Sequence, residues 1–303
     1  MRKLAVILGF TSLALAAVAV SPSNATFHGR NGLLAYQVKI GKHIQLFTVR
    51  PDGTGTRQVT HLTDSDAIGA SWSPDGSRIV FARDYLFGSR KEHLDVVTID
   101  ADGRHLHAMG LKGLNGWPIW SPDGRRILFL HGPGFATVDA AGGPLSQVMF
   151  RGEVESPTLA PDGSRIAFWR HEHGGASLYV VGADGTGLKR VKAFSKGLAD
   201  KIDWSPDGSR IAFSTPDFDR PGLAANVYTV RPDGTGLIQL THDRGGAIKN
   251  GLDSWSPDGT KIAFVSNRAG TYQIYSMSSA TGSSVTQITR GPEAHLAAWG
   301  THP

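Results

Sequence analysis

The sequence predicts an all-β protein, a six-bladed β-propeller whose blades each have four strands. Two observations support this: a Trp-Ser-Pro-Asp-Gly motif recurs along the chain, and the two chain ends carry partial repeats that complement each other. The motif and its variants begin at Trp72, Trp120, Leu159, Trp204, Trp255 and Trp299. The steps between these positions are 48, 39, 45, 51 and 44 residues, and a period of about 40–50 residues is typical of propeller blades.

Each repeat has the same internal order of strands and turns, which the second repeat shows well. Residues 69–73 predict a first strand, 74–76 a tight turn and 78–81 a second strand with alternating apolar residues. Residues 96–99 predict a third strand, and a short fourth strand follows near Leu106. Four strands per repeat therefore make one blade.

The Pro-Asp-Gly segments are interpreted as hairpin turns. Proline presets φ, aspartate bonds back to the backbone, and glycine accepts the positive φ that a tight turn needs. Their carboxylates could also ligate a cation, but the turn accounts for both residue types. The turn residues predicted to be structural are Asp75, Gly76, Asp123, Gly124, Asp162, Gly163, Asp207, Gly208, Asp258 and Gly259.

The two chain ends predict how the ring closes. Residues 34–36, 46–49 and 58–60 match the second, third and fourth strands of a blade, but no first strand precedes them. Residues 295–299 match a first strand with nothing after it. We therefore expect the C-terminal strand to complete the first blade, which removes an exposed sheet edge.

The N-terminus has the pattern of an export signal. Arg2 and Lys3 precede an apolar stretch that ends in small residues. We predict a signal peptide over residues 1–25, with cleavage after Ala25 or alternatively after Ala19, and a single propeller domain over residues 26–303. Retention of the apolar stretch as an anchor is the other interpretation. No second apolar segment follows, so no transmembrane segment is expected after cleavage.

Composition narrows the classes of function. The chain of 303 residues has no cysteine, which excludes disulfides and thiolate metal sites. Its formal net charge is +5, of which two charges lie in the predicted signal. The positive charge is mild and forms no dense basic run, so nucleic-acid binding is not expected.

These repeats resemble the PD-type propeller repeat of TolB, the periplasmic component of the Tol-Pal envelope system. The resemblance extends from about Gly32 to Trp299. It implies a periplasmic or secreted protein whose partner is an envelope protein or peptide. The chain departs from TolB because no α/β domain precedes its first blade, and it also lacks the Gly-x-Ser-x-Gly elbow of propeller-bearing peptidases. We therefore expect a TolB-like propeller and not TolB itself.

The two faces of the predicted ring differ in sequence. The regular turns share one face, here called the turn face, whereas irregular loops rich in charged residues and histidine share the opposite loop face. Irregular loops on a rigid scaffold commonly carry binding residues. The residues predicted to bind a partner there or at the channel mouth are Asp243, Arg244, Lys249, Asp253, Asp203, His171 and His173.

Three groups of residues have competing interpretations. Asp203 and Asp253 precede tryptophans of first strands; they are expected either to bond to a neighbouring blade or to hold Ca²⁺ or Mg²⁺ at the channel mouth. His171 and His173 suit either a hairpin tip or a metal site. The pair His105-x-His107 is expected on an outer strand with both side chains on one exposed face, either as surface residues or as a metal site.

The five repeat tryptophans are predicted to pack between blades; they are Trp72, Trp120, Trp204, Trp255 and Trp299. The predicted function is therefore a binding or scaffolding module for an envelope protein or peptide, without a cofactor. The alternative is an extracytoplasmic carbohydrate-active lyase or hydrolase that uses a metal and a His or Arg base on the propeller face. We favour a non-enzymatic role, because no reaction centre is recognisable in the sequence.

Overall fold

The computed structural model describes residues 28–85, 93–132, 134–149, 153–172, 175–194, 201–214, 225–244 and 247–302. These residues form 24 strands in six four-stranded sheets, which are the blades of a propeller. The predicted fold class is confirmed. The predicted signal peptide and His173 lie outside the described residues.

Blades A to C come first in the chain. Blade A contains β1 (Asn31–Ile40), β2 (His43–Val49) and β3 (Arg57–Gln58). Blade B contains β4 (Asp66–Trp72), β5 (Arg78–Asp84), β6 (Leu94–Asp100) and β7 (His107–Ala108). Blade C contains β8 (Asn115–Trp120), β9 (Arg126–His131), β10 (Gly134–Asp139) and β11 (Ser146–Met149).

Blades D to F complete the ring. Blade D contains β12 (Val154–Leu159), β13 (Arg165–Glu172), β14 (Gly175–Gly182) and β15 (Lys189–Phe194). Blade E contains β16 (Ile202–Trp204), β17 (Ile211–Ser214), β18 (Val227–Val230) and β19 (Ile238–Gln239). Blade F contains β20 (Asn250–Trp255), β21 (Lys261–Ser266), β22 (Gln273–Ser278) and β23 (Thr286–Gln287), and the last strand is β24 (Ala294–Thr301).

The last strand closes the ring. Strand β24 pairs antiparallel with β1, with Leu34 opposite Trp299 and Asn31 opposite Thr301. Blade A therefore has the strand order β24-β1-β2-β3, and its innermost strand comes from the C-terminal end of the chain. The predicted closure is confirmed.

The core lies between the blades. The five repeat tryptophans are only 2–7% exposed and belong to apolar clusters shared by adjacent blades, so their predicted packing role is confirmed. Trp169 is completely buried between blades D and E. Arginine side chains cover some of these rings, as Arg165 does over Trp204 at 4.8 Å from the ring centroid.

The Pro-Asp-Gly turns are closed by the bonds that their sequence requires. In blade B, Gly76 donates its N–H to the carbonyl of Ser73 at 2.9 Å, and Ser77 donates its N–H to Asp75 Oδ1 at 3.0 Å. Burial alone would raise the pKa of Asp75, but hydrogen bonds from Ser73 and Ser77 outweigh it and hold that pKa below its usual value. The carboxylate thus serves the turn.

Candidate binding site in the central channel

The first strand of every blade lines one central channel. The lining comes from the second half of each of these strands, toward the turn face, and all five repeat tryptophans contribute to it. The cavity volume is about 80 Å³. At roughly 10–15 Å³ per water, this is room for about five to eight water molecules or for one inserted side chain.

The wall formed by blades B, C and D is apolar. Trp117 is half-buried there beside Pro118, and Pro157 of blade D continues the surface. Gly69 of blade B lies against the indole, because a Cβ at this glycine would be 3.5 Å from the Trp117 ring. A Cβ at residue 69 would therefore be in van der Waals contact with the tryptophan, and the φ of 66° at this residue is what favours glycine.

The apolar wall depends on bulges in the first strands. The pairing of β8 with β9 shifts register between Gly116 and Ile119, and Trp117 there has a φ of 51°. The same left-handed conformation occurs at Ser156 and Leu296, three residues before the repeat tryptophan or its equivalent. Non-glycine residues with positive φ cost about 1–3 kcal/mol each and persist where surrounding packing fixes them. The channel wall is thus strained at equivalent heights in several blades.

The opposite wall, formed by blades E, F and A, is also largely apolar, but it carries the charged side chains of the channel. Lys201 of blade E extends past blade F and donates from Nζ to the carbonyl oxygen of Ala297 in β24 at 2.7 Å. Asp203 lies two residues further on in the same blade and also lines the channel. The channel therefore has one cationic and one acidic side chain on a single side.

Asp203 joins three blades. Its Oδ2 accepts the backbone N–H of Trp255 in blade F at 2.9 Å, and it also accepts a hydrogen bond from the side chain of Thr158 in blade D. Burial raises the pKa of Asp203 to about 6, although these bonds and the ammonium of Lys201 favour its charged form. Part of the side chain faces the narrow channel, yet protein surrounds the carboxylate closely enough to desolvate it. This carboxylate therefore titrates near neutral pH.

Asp253 makes the corresponding contact one blade further on. It is completely buried, and its Oδ1 accepts the N–H of Ala297 at 2.9 Å. Of the two interpretations that the sequence left open, hydrogen bonding to a neighbouring blade is what the structure displays for both Asp203 and Asp253. A Ca²⁺ or Mg²⁺ ion at the channel mouth stays a prediction.

The predicted loop-face residues of blades E and F have different environments. Arg244 is exposed, but Lys249 is only 7% exposed. Asp243 is half-buried, accepts a hydrogen bond from Asn250 Nδ2 at 2.7 Å and lies 3.6 Å from Arg268. These residues therefore do not form one exposed patch, and Asp243 connects elements of the scaffold.

The histidine motifs also separate. His171 Nε2 lies 3.2 Å from Glu155 Oε2, on adjacent strands of blade D. His105 does not lie on the outer strand as we expected, because its φ is 51° and only His107 belongs to β7. A hydrogen bond of 2.6 Å between His105 Nδ1 and Asp100 accompanies this turn conformation. Among the residues that the structure describes, no three His, Asp or Glu side chains group as a metal site.

Sequence reasoning missed Lys201 and Thr158 as channel residues. The signal was present at fixed offsets from the repeat motif: Lys201 stands three residues before Trp204, and Thr158 stands one residue before Leu159. Aligning the repeats position by position would have found both. Which carbonyl the lysine reaches could not be read from the repeat.

The fold and the channel define a class: a six-bladed β-propeller whose central channel is largely apolar, with Lys201 and Asp203 on one side. The model of the TolB beta propeller domain matches residues 138–300, more than half of the chain. The chain belongs to the TolB beta propeller domain family. Within the described ranges, no helix has the length and apolar character needed to cross a membrane.

Individual similar proteins include TolB proteins and a lyase. The chain is 31% identical to a TolB homolog from Chlorobium luteolum over 38% of its own length, and the match spans only 34% of that relative. The crystal structure of TolB from Acinetobacter baumannii superposes with a TM-score of 0.72 at 20% identity, covering 89% of this chain and 67% of TolB. Oligogalacturonate lyase from Vibrio parahaemolyticus has a TM-score of 0.53 at 16% identity, covering 80% and 73% of the two chains. These two structures show a shared fold.

Proposed function

We propose that this protein is an exported binding or scaffolding module for a protein or peptide of the cell envelope. The observation that carries the proposal is the largely apolar channel with Lys201 and Asp203 fixed on one side, because an apolar lining with a few fixed polar groups is typical of a binding site. A segment placed at its mouth can bury an apolar side chain against Trp117 and Pro118 while its polar groups meet Lys201 and Asp203. The irregular loops, at the other end of the first strands, supply further contacts on the loop face.

The relatives and the N-terminal sequence support an envelope location. The relatives named TolB include a Tol-Pal system protein from Francisella tularensis. The signal-like pattern at residues 1–25 is consistent with export to the periplasm or beyond it. The proposal therefore places the protein in the periplasm or outside the cell, with an envelope partner.

The test uses exposed residues, because reversing the charge of Asp243 or Lys249 would disturb the scaffold between blades E and F. The loop-face variant is Lys39→Glu with Arg244→Glu, whose side chains are both exposed. The matched turn-face variant is Arg104→Glu with Lys261→Glu, which changes the net charge equally. Each mature protein is cross-linked in an envelope extract, and captured proteins are identified.

We expect the wild type and the turn-face variant to capture the same protein. We expect the loop-face variant to lose it. A third variant, Trp117→Ala, tests the channel mouth, and its folding is checked by thermal unfolding. Equal capture by all variants would contradict the proposed face. A wild-type protein that captures nothing specific would contradict the scaffold function.

The cation and enzyme alternatives have their own test. A Ca²⁺ or Mg²⁺ ion between Asp203 and Asp253 would compete with the backbone bonds that these carboxylates accept and would lie near the ammonium of Lys201. Calorimetric titration of Ca²⁺ into wild type and Asp253→Asn decides whether such an ion binds. Glycan turnover by metal-loaded protein would favour the lyase or hydrolase. The shared propeller fold is the observation that supports this alternative.

A further inference from the structure

One outer strand differs from the others. Strand β15 has six residues, whereas the outer strands of blades A, B, E and F have two each and that of blade C has four. It pairs with β14 from Lys189 opposite Val180 to Phe194 opposite Ala176. Blade D therefore presents the longest regular edge on the outside of the ring.

This edge is held firmly from inside. Val191 is only 8% exposed and belongs to the apolar cluster between blades D and E, against which Phe194 also packs. On its outer side, β15 is the last strand of its sheet, and within the described ranges no backbone hydrogen bond arrives there from another element. Gly234 of blade E lies against the carbonyl oxygen of Val191, since a Cβ at this glycine would be 2.7 Å from that oxygen, so the open part of the edge is the half from Lys192 to Phe194. An ordered strand with unpaired outward N–H and C=O groups is a template for another strand.

Natural proteins protect such edges by making them short or by placing proline, bulges or charges on them. The other blades use short strands, but β15 has no proline and carries three cations, Lys189, Arg190 and Lys192. Lys189 is exposed, and the Arg190 side chain is 58% exposed. Protection of this edge therefore rests on positive charge and one bulge.

The cations lie on both sides of the strand. Lys189 is opposite Val180 and Lys192 is opposite Leu178, so both share the blade face that packs toward blade E. Arg190 is opposite Tyr179 on the other face, where Glu172 lies 3.8 Å from it. That carboxylate partly offsets Arg190, and on the lysine face Asp233 of blade E interacts electrostatically with Lys189, so the three cations of β15 are only partly balanced.

The charges decide which strand can add to this edge. A second copy of β15 would place lysines and arginine directly against lysines and arginine, and like charges opposite each other destabilise a strand pair. We propose that β15 is a docking edge for an extended, acidic segment of another protein, which adds to blade D as a fifth strand. Backbone pairing supplies the affinity, and carboxylates opposite the cations supply the selectivity. The site is on the outer rim and is independent of the proposed channel function.

The probe is a short fluorescent peptide that alternates valine and glutamate, measured by fluorescence anisotropy at low salt. We expect it to bind the wild-type protein, and we expect the version with lysine in place of glutamate to bind at least about tenfold more weakly, as charge complementarity requires. The edge variant is Lys189→Glu with Lys192→Glu. It should lower the affinity for the acidic peptide by about tenfold or more.

Two controls separate strand addition from simple attraction of charge. The variant Arg104→Glu with Lys261→Glu has the same net charge as the edge variant and should bind almost as the wild type does. An acidic peptide methylated on alternate backbone nitrogens keeps its charge but cannot pair, and it should bind at least about tenfold more weakly. Equal loss in both protein variants, or unchanged binding of the methylated peptide, would overturn the proposal. The proposal would also be overturned if the protein bound anionic lipid vesicles in a way that required Lys189 and Lys192 but did not bind the acidic peptide.

Discussion

The junction of blades A and B, at the closing strand β24, adds cross-blade hydrogen bonds to its shared apolar cluster and differs in this from the junction of blades C and D. At the closure, polar side chains bond across blades: Thr301 Oγ1 donates to the carbonyl of Pro74 at 2.7 Å, and Trp72 Nε1 donates to that of Ala298 at 3.0 Å. Between blades C and D, apolar groups form a shared cluster, with Phe135 set edge-on to Phe168 at 5.1 Å.

The difference follows from how each junction is made. Blades C and D are consecutive in the chain, so apolar packing needs only to orient them. Blade A is completed by a strand that returns from the far end of the sequence, and its register must be selected among alternatives. Directional hydrogen bonds select a register better than apolar contact does. We therefore expect the closure to respond to small steric and polar changes that the C–D junction tolerates.

The largest expected effect comes from adding one methyl group at equivalent turns. Gly76 has a φ of 68°, and a Cβ there would be 2.3 Å from the backbone oxygen of Thr301. Gly163 has a φ of 69°, but its Cβ would be 3.5 Å from the Pro122 side chain of blade C. Gly76→Ala should lower the free energy of unfolding by about 3–4 kcal/mol, and Gly163→Ala by about 1–2 kcal/mol. Urea denaturation measures both, and equal losses would contradict the comparison.

The second effect is a pH dependence of the free energy of unfolding, which comes from Asp203 in the channel. The pKa of Asp203 is about 6 in the folded protein, against an ordinary value of 3.8 for aspartate. The folded state therefore binds the proton more tightly, so this group favours folding below pH 4 and loses that contribution as the pH rises through 6. The loss amounts to at most about 3 kcal/mol.

Asp203→Asn removes this titration. Relative to the variant, the wild type should lose stability between pH 4 and pH 7 in urea denaturation. Asp162→Asn serves as the control, because hydrogen bonds outweigh burial there and lower the pKa of Asp162. A wild type that gains stability over Asp203→Asn across this range would show that the carboxylate is not desolvated.

The third effect weakens the apolar junction. Phe168 is completely buried, and Phe168→Leu removes its edge-on contact with Phe135. The free energy of unfolding should fall by about 1–2 kcal/mol equally from acid to neutral pH, because neither phenyl ring titrates and burial raises the pKa of the neighbouring Tyr179. A loss that depended on pH would show that polar groups contribute to this junction.

The smallest effect removes one polar bond of the closure. Thr301→Val keeps the shape of a side chain that is 8% exposed but leaves the carbonyl of Pro74 without its hydroxyl donor. The expected loss is about 1 kcal/mol. The substitution should accelerate amide hydrogen exchange more in the β1–β24 ladder than in the β12–β13 ladder. An equal acceleration in both ladders would place the effect outside the closure.

The repeat pattern predicted the blades, their strand order and the closure, because strand alternation and Pro-Asp-Gly turns are local properties. It did not predict the left-handed Trp117 or the reach of Lys201 to Ala297, since both depend on strands crowding around one axis. The prediction that Lys249 is an exposed loop residue was wrong for a related reason. Its polar surroundings in the sequence indicated an exposed loop, but its backbone forms a bridge with Ala225 that draws it inside.

The pairing of β24 with β1 also brings residues far apart in sequence side by side. The N–H of His302 donates to the carbonyl of Arg30 at 2.8 Å, so a short linker could join them. Closely spaced surface ends of this kind tolerate circular permutation. A chain reconnected here and opened instead between β6 and β7 would make another blade the composite one. The order of the blades around the ring would be unchanged, but the N-terminus of the chain would lie in a different blade.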